Sequence, residues 1–144
     1  MNRSSLLVTL SQLRDLRARN VDALGSQLAQ QQQQVRRYHS NIEALTRLGE
    51  ISARMEPAQL GNLARYKTHL QRLVNGQRQA VQLAEQQQQV LQAQLLDEAC
   101  KEKRFALMLA QQRDAQAQEA QRQQQALTDD CALQCWLRNR RQKA

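Results

Sequence analysis

The sequence predicts an all-α fold in which two long helices form an antiparallel coiled-coil hairpin, with the second helix overhanging at its C-terminal end. Three observations lead to this prediction. Aromatic residues make up 3% of the chain, and it contains one proline and four glycines, so frequent turns around a compact core are not expected. Apolar residues recur every three or four positions, as in left-handed coiled coils. The only proline, Pro57, lies between Gly49 and Gly61, where we expect the chain to reverse direction.

The first helix is predicted over residues 5–51, and Ser4 or Ser5 is suited to cap its N-terminus. Two successive four-residue steps, Leu13 to Arg17 to Val21, indicate a stutter, which can place a polar residue in the seam between two helices. The full apolar stripe is Leu6, Leu10, Leu13, Arg17, Val21, Leu24, Leu28, Gln31, Val35, Tyr38, Ile42, Leu45 and Leu48.

The second helix is predicted over residues 57–141, after a turn at 52–56, because proline fits the first turn of a helix. A connection this short makes the two helices antiparallel neighbours, so residues 1–144 are expected to form a single hairpin. The stripe of the second helix is Leu60, Leu63, Tyr66, Leu70, Leu73 with Val74, Gln77, Val81, Ala84, Gln88, Leu91, Leu95, Glu98, Glu102, Phe105 and Leu109.

The two predicted helices differ in length, at about 69 Å and about 125 Å for a rise of 1.5 Å per residue. If the second helix folds back along the first from the predicted turn, Leu6 lies beside residues 102–105 and His39 lies level with His69. The second helix then has no partner in the chain past about Ala110. The next segment, QQRDAQAQEAQRQQQ, has no large apolar residue, which suits an unpaired helix.

Apolar residues then return in a terminal cluster: Leu127, Cys131, Leu133, Cys135, Trp136 and Leu137. Since nothing in the chain is expected to cover them, we interpret the cluster as an anchor that enters an apolar, acidic site on another protein. The alternative is that this tip folds back, self-associates or frays.

The net charge of +8 and pI of about 10.3 suit an acidic partner. Neither a dense basic patch nor a set of stacking aromatics is present, so nucleic acid is not expected as a partner.

The N-terminus does not resemble a signal peptide and no stretch could span a bilayer, which predicts a soluble cytosolic protein. The odd cysteine count suggests reduced thiols, with Cys131 and Cys135 acting as small hydrophobes in a core.

No arrangement of residues predicts catalysis. His39 and His69 are isolated, the glycines form no phosphate-binding loop, and a two-helix hairpin has no concave ligand pocket. We therefore predict that the protein is not an enzyme and has no catalytic residues, metal, cofactor or small-molecule substrate.

Two stretches carry a family resemblance. RYKTHLQRLVNGQRQAV, Arg65–Val81, contains Tyr66, Leu70, Arg72, Leu73 and Gln77 at the spacing of the flagellar FliJ family, with His69 replacing an aromatic residue. EAQRQQQALTDDCA, Glu119–Ala132, is similar to the ending of that family, and the opening LLVTLSQLRDLR fits loosely. Members often have paired aromatics late in the first helix, where this chain has only Tyr38.

The resemblance implies a non-enzymatic stalk of the flagellar type III export apparatus, needed for flagellum assembly and motility and associated with chemotaxis. Its implied partners are a hexameric export ATPase, a membrane-embedded export gate and export chaperones. It also implies a cytoplasmic monomer, peripherally bound at the inner membrane. Expected contacts with the ATPase ring are Leu6, Leu10, Leu13, Leu127, Leu133, Trp136 and Arg140. Expected contacts with the gate are Tyr38, Ile42, Tyr66, His69 and Leu73.

Three alternatives stay open from the sequence. The first is the equivalent stalk of a virulence type III secretion system, which one sequence does not separate from the flagellar protein. The second is an oligomeric structural coiled coil unrelated to export. The third is a basic helix that binds nucleic acid, which would show steeply salt-dependent binding.

Overall fold

The computed structural model describes residues 2–52, 54 and 60–143 of the chain. It consists of two helices that pack against each other, α1 (Arg3–Ser52) and α2 (Leu60–Lys143), and the described residues include no strand. The predicted all-α hairpin is therefore confirmed. The helices begin and end within three residues of the predicted limits at Arg3, Ser52 and Lys143, a difference normal for helix termini.

The predicted turn, residues 52–56, and the predicted helix start at Pro57 fall mostly outside the described residues. Within that turn, Ser52 is the last residue of α1 and Arg54 lies in a turn. The backbone N–H of Arg54 donates to the carbonyl of Ile51 at 3.1 Å, so one carbonyl at the C-terminus of α1 is satisfied by a tightened last turn.

The chain divides into two compact units. The middle unit is Ala18–Ala99, and the terminal unit combines Met1–Arg17 with Cys100–Ala144. Each unit contains one segment from each helix, so each has its own helix–helix packing. The single hairpin domain expected from the sequence stays a prediction.

Hydrogen bonds between side chains identify the register of the middle unit. Asn20 Nδ2 donates to Glu98 Oε2 at 3.4 Å, and Asn41 Nδ2 donates to Gln77 Oε1 at 3.5 Å. A step forward from Asn20 to Asn41 on α1 thus matches an equal step backward on α2. The two segments are antiparallel, as predicted.

This register corrects one expectation. A turn centred near residue 54 would place His39 level with His69, but His39 Nε2 lies 3.7 Å from Glu85 Oε1 instead. The hydrogen bonds of Asn20 with Glu98 and of Asn41 with Gln77 place the paired residues of the middle unit at higher residue numbers on α2 than a turn centred near residue 54 would.

The core of the middle unit follows the predicted stripes. Leu70, Val74, Val81 and Ala84 are buried. Most other stripe positions are half-buried, as expected where a seam has only two helices to cover it. Three positions depart from the prediction, since Leu48, Tyr66 and Leu73 are exposed.

A stripe glutamine stabilises this narrow core. Gln31 Nε2 donates to the carbonyl of Ala84 at 3.1 Å and to Gln87 Oε1 at 3.0 Å. A polar side chain in a seam is tolerated when its hydrogen bonds are made. Because both hydrogen bonds are donated by Gln31 Nε2, this glutamine occupies a stripe position without leaving its amide donor unpaired.

The terminal unit has its own buried pair, Leu10 at 4% and Leu109 at 1% exposure. On α2 the half-buried positions continue to Glu119, and residues 120–143 are all exposed. The expectation that pairing ends near Ala110 is therefore wrong. The terminal unit groups residues 1–17 with this stretch of α2, so the first turns of α1 are the part of that helix that belongs to the same compact unit.

Candidate partner-binding surfaces

The exposed part of α2, residues 120–143, holds the terminal cluster. Trp136 is 55% exposed, and Leu127, Leu133 and Leu137 are exposed as well. A helical segment with no neighbour gains little from burial, so such large apolar groups do not stabilise it. They form a surface that is available to another molecule.

Trp136 is paired with a cation on its own helix. The guanidinium of Arg140 lies 5.2 Å from the centroid of the Trp136 ring, within the range of a cation–π interaction. The four-residue spacing brings the two side chains to the same face of the helix. Arg140 belongs to the basic last turn with Arg141 and Lys143, where cations interact favourably with the helix dipole.

The terminal cluster is divided between two sides of the helix. Leu133, Trp136 and Arg140 follow the three- and four-residue steps that share a face. Leu127, Cys131 and Cys135 follow a separate four-residue series, which falls on another face by the same geometry. Two apolar faces on one exposed helix suit a cavity that surrounds it.

The cysteines correct a prediction from the sequence. Cys100, Cys131 and Cys135 are all free and exposed, so Cys131 and Cys135 are not part of a core. The sequence could not predict whether these two cysteines are buried, because the segment before them has no apolar stripe that could be extended to them. Across the described part of the chain, no group of three or more His, Cys, Asp or Glu residues could hold a metal ion.

The other residues expected at the ATPase ring lie on α1. Leu6 and Leu13 are half-buried and Leu10 is buried. Because these side chains pack within the terminal unit, they have little surface left for a partner. The structure thus separates the seven expected residues into an exposed set on α2 and a packed set on α1.

The residues expected at the export gate lie in the middle unit. Tyr66, His69 and Leu73 are exposed and share one face of α2 at three- and four-residue spacing, whereas Tyr38 and Ile42 of α1 are half-buried. The hydrogen bond from Asn41 to Gln77 places Ile42 about 15 Å along the axis from Tyr66. By the same register Ile42 lies level with Gly76, about 4.5 Å along the axis from Leu73, so Leu73 is the exposed member of the α2 group that lies nearest to it.

Two exposed residues that were not among the expected gate contacts lie beside Tyr66 and Leu73. By the register of the middle unit, Leu48 and Ile51 of α1 are level with Leu70 and Lys67, beside Tyr66 and Leu73 on α2. Both are exposed. The sequence could not identify these two residues, because the predicted turn paired the end of α1 with other residues of α2. The observed register was needed to place them beside Tyr66 and Leu73.

Neither helix, over the described residues, contains a stretch long and apolar enough to cross a membrane.

Comparison with known protein families identifies the family of the chain. A family model described as "Flagellar FliJ protein" matches residues 6–141, which include both units and the exposed end of α2. No curated protein and no solved structure matches the chain. FliJ proteins are non-enzymatic and act in flagellar export. The match covers nearly all of the 144 residues, and the chain belongs to the FliJ family.

Proposed function

We propose that this protein is the stalk that couples the hexameric export ATPase ring to the membrane-embedded export gate of the flagellar type III apparatus. In this role it also handles export chaperones and is needed for flagellum assembly, motility and hence chemotaxis. The observation that carries the proposal is the exposed end of α2, where Trp136 and Arg140 form a cation–π pair with no neighbouring helix to cover them.

The ATPase ring is the proposed partner of this end. An aromatic ring and a guanidinium are the side chains most often found at the energetic centre of an interface. Pairing Trp136 with Arg140 on one helix restricts both side chains before binding, which lowers the entropy lost on association. The direct contacts are Leu127, Leu133, Trp136 and Arg140. Leu6, Leu10 and Leu13 contribute by holding α1 against α2.

The export gate is the proposed partner of the middle unit near its connection. Tyr66, His69 and Leu73 supply an exposed face of α2 with mixed aromatic and aliphatic character, and Leu48 and Ile51 extend it. Tyr38 and Ile42 form a second, smaller part of this surface. A patch of exposed apolar groups is a common mark of a protein interaction site.

The cellular location follows from these partners. The protein would be cytoplasmic and held at the cytoplasmic face of the inner membrane through the gate. It would act as a monomer, because one stalk fits one ring. The virulence stalk stays a less favoured alternative, since the matching family model is the flagellar one.

The test is Trp136→Ala, with Tyr66→Ala as the matched control at the gate surface. We expect Trp136→Ala to weaken binding to the purified ATPase about thirtyfold, corresponding to roughly 2 kcal/mol for a hot-spot aromatic, and to remove its stimulation of ATP hydrolysis. Binding can be measured by surface plasmon resonance. Tyr66→Ala should leave both values unchanged.

Unchanged ATPase binding in Trp136→Ala would reject the tip as the anchor. The structural coiled-coil alternative is tested separately by sedimentation of the isolated protein. A monomer at micromolar concentration fits the stalk, and a stable dimer or higher oligomer would contradict it.

A further inference from the structure

Two thiols lie on the exposed end of α2, and the packing of the chain does not account for them. Cys131 and Cys135, the cysteine pair, are both free and exposed, in a stretch where residues 120–143 are all exposed. Cysteine is among the residue types most often buried, where it acts as a small hydrophobe. Since this pair is not part of a core, its use is more readily found in the chemistry of the sulfur atoms.

The helix brings the two thiols together. Helix α2 runs without a break through this region to Lys143, and Cys131 and Cys135 are four residues apart. Side chains at this spacing are neighbours on one face, with Cβ atoms about 5–6 Å apart. The third cysteine, Cys100, lies far earlier on α2 and is also free and exposed. The pair therefore differs from Cys100 in having a second sulfur within reach.

The spacing does not suit a disulfide within the pair. A disulfide requires the two Cβ atoms to lie about 3.5–4.5 Å apart, which is closer than the four-residue spacing of a regular helix allows. Forming the bond would therefore deform α2 around Cys131 and Cys135. The regular helix instead leaves room for one bridging atom between the two sulfurs.

The number of ligands restricts the identity of that atom. Zinc takes four protein ligands in a structural site and three in a catalytic one, and the described residues contain no group of three or more His, Cys, Asp or Glu that could hold a metal ion. Thiolates are soft ligands that select Cu(I) among the ions they bind. Cu(I) is satisfied by two thiolates on opposite sides of the ion, and it coexists with free thiols because both are reduced species.

The charges around the pair suit the complex that would form. Two thiolates and one Cu(I) carry a net charge of −1, and Arg138 lies three residues after Cys135, on the adjoining part of the same side. Asp130 directly precedes Cys131, and residues one position apart do not face each other. Asp129 accepts a hydrogen bond from Gln125 Nε2 at 3.2 Å, on a different face from the pair. A cation therefore adjoins the thiols, and the nearest carboxylates face elsewhere.

We propose that Cys131 and Cys135 form a two-coordinate Cu(I) site on the exposed end of α2. On binding, each thiol releases its proton to solvent and forms one sulfur–copper bond. The copper stays in the +1 state, so no electron is transferred and no oxidant is needed. The pair lies on a different face from Trp136 and Arg140, and the proposal does not depend on the export function.

The test is titration of the full-length protein with Cu(I), supplied without oxygen from its coloured bicinchoninate complex. Loss of the colour measures transfer of the ion to the protein. We expect one Cu(I) per chain, together with the ultraviolet charge-transfer band of a copper–thiolate bond. Zn(II) added at the same concentration should not displace it, because the pair offers too few ligands.

Three single variants assign the site. Cys131→Ser and Cys135→Ser should each raise the Kd for Cu(I) at least about a hundredfold, because losing a ligand costs more than losing a partner outside the ligand shell. Cys100→Ser is the matched control, since it also removes one exposed thiol, and it should leave the Kd unchanged.

A double variant separates the spacing of the thiols from their number. Cys131→Ala combined with Thr128→Cys keeps three cysteines in the chain but places the two near the C-terminus seven residues apart, about 10.5 Å along the helix axis. One ion cannot bridge that distance, so this variant should bind Cu(I) as weakly as Cys131→Ser. Circular dichroism should show the same helical content in all of these proteins.

Several results would overturn the proposal: no transfer of Cu(I) to the unaltered protein, an equal loss of affinity in Cys100→Ser, or full affinity in the double variant. Binding of one ion by two chains, detected by sedimentation in the presence of Cu(I), would also contradict it, because it would place the site between copies. Loss of ATPase binding in Trp136→Ala, or its absence, leaves these outcomes unaffected.

Discussion

The paired part of α2 and its exposed end use similar residues with opposite outcomes. In the paired part, Leu70, Val74, Val81 and Ala84 share one face of α2 and are buried against α1. From residue 120 to residue 143 the apolar side chains are spread over more than one face, and every one is exposed. Coverage by the facing helix, rather than apolar content, distinguishes a region that stabilises the protein from one that is available for binding.

The largest test of this comparison is Leu109→Ala. Leu109 is 1% exposed, so its truncation removes a fully packed side chain and should cost about 3 kcal/mol of unfolding free energy. Leu127→Ala is the control at the exposed end, where the side chain is 66% exposed, and should change stability by less than about 0.5 kcal/mol. Urea denaturation followed by circular dichroism measures both values. Equal costs would show that the exposed end is packed in solution.

A smaller effect is expected from helix propensity. Gly25→Ala, in the paired region, should raise the unfolding free energy by about 1 kcal/mol, because nothing obstructs the added Cβ. Ala126→Gly makes the reverse change at the exposed end. There it should lower only the helical content, measured by circular dichroism, and leave the melting temperature unchanged. A change in melting temperature caused by Ala126→Gly would show that the exposed end unfolds cooperatively with the paired region.

The smallest effect is expected from a polar contact across the two helices. His39 Nε2 and Glu85 Oε1 are 3.7 Å apart, and the two side chains are 59% and 51% exposed, so Glu85→Gln should cost less than about 0.5 kcal/mol. Glu43→Gln removes an ion pair within α1 and should have an effect of similar size. A cost above about 1 kcal/mol for Glu85→Gln alone would mean that this contact, and not only the apolar seam, fixes the register.

Most of the fold could be predicted because it depends on local pattern. The stripe from Leu63 to Leu109 and the stripe from Leu6 to Leu45 can be recognised by spacing alone, and nearly all of their members are buried or half-buried. Where two apolar residues are adjacent in the sequence, the spacing pattern could not predict which of them is buried. Val74 is buried and Leu73 is exposed, a choice made by the packing of α1.

The register and the surfaces that depend on it required the structure. The sequence places Gly49, Pro57 and Gly61 in one region but does not determine which residues of α1 and α2 face each other. The observed register places His39 beside Glu85 rather than His69, and Leu48 and Ile51 level with Leu70 and Lys67. This register is not visible in the stripes, because each stripe repeats itself along the helix.

The sequence by itself determined that this protein is two helices of unequal length with apolar seams, and the resemblance in Arg65–Val81 pointed to its family. These features depend on residue spacing, which any helix expresses without reference to the rest of the chain. Tertiary structure alone decided which residues face each other and where pairing stops on α2. It also decided which apolar groups, such as Leu83 and Val90, stay exposed. Those depend on contacts between distant residues, and a repeating pattern permits several alignments of such contacts.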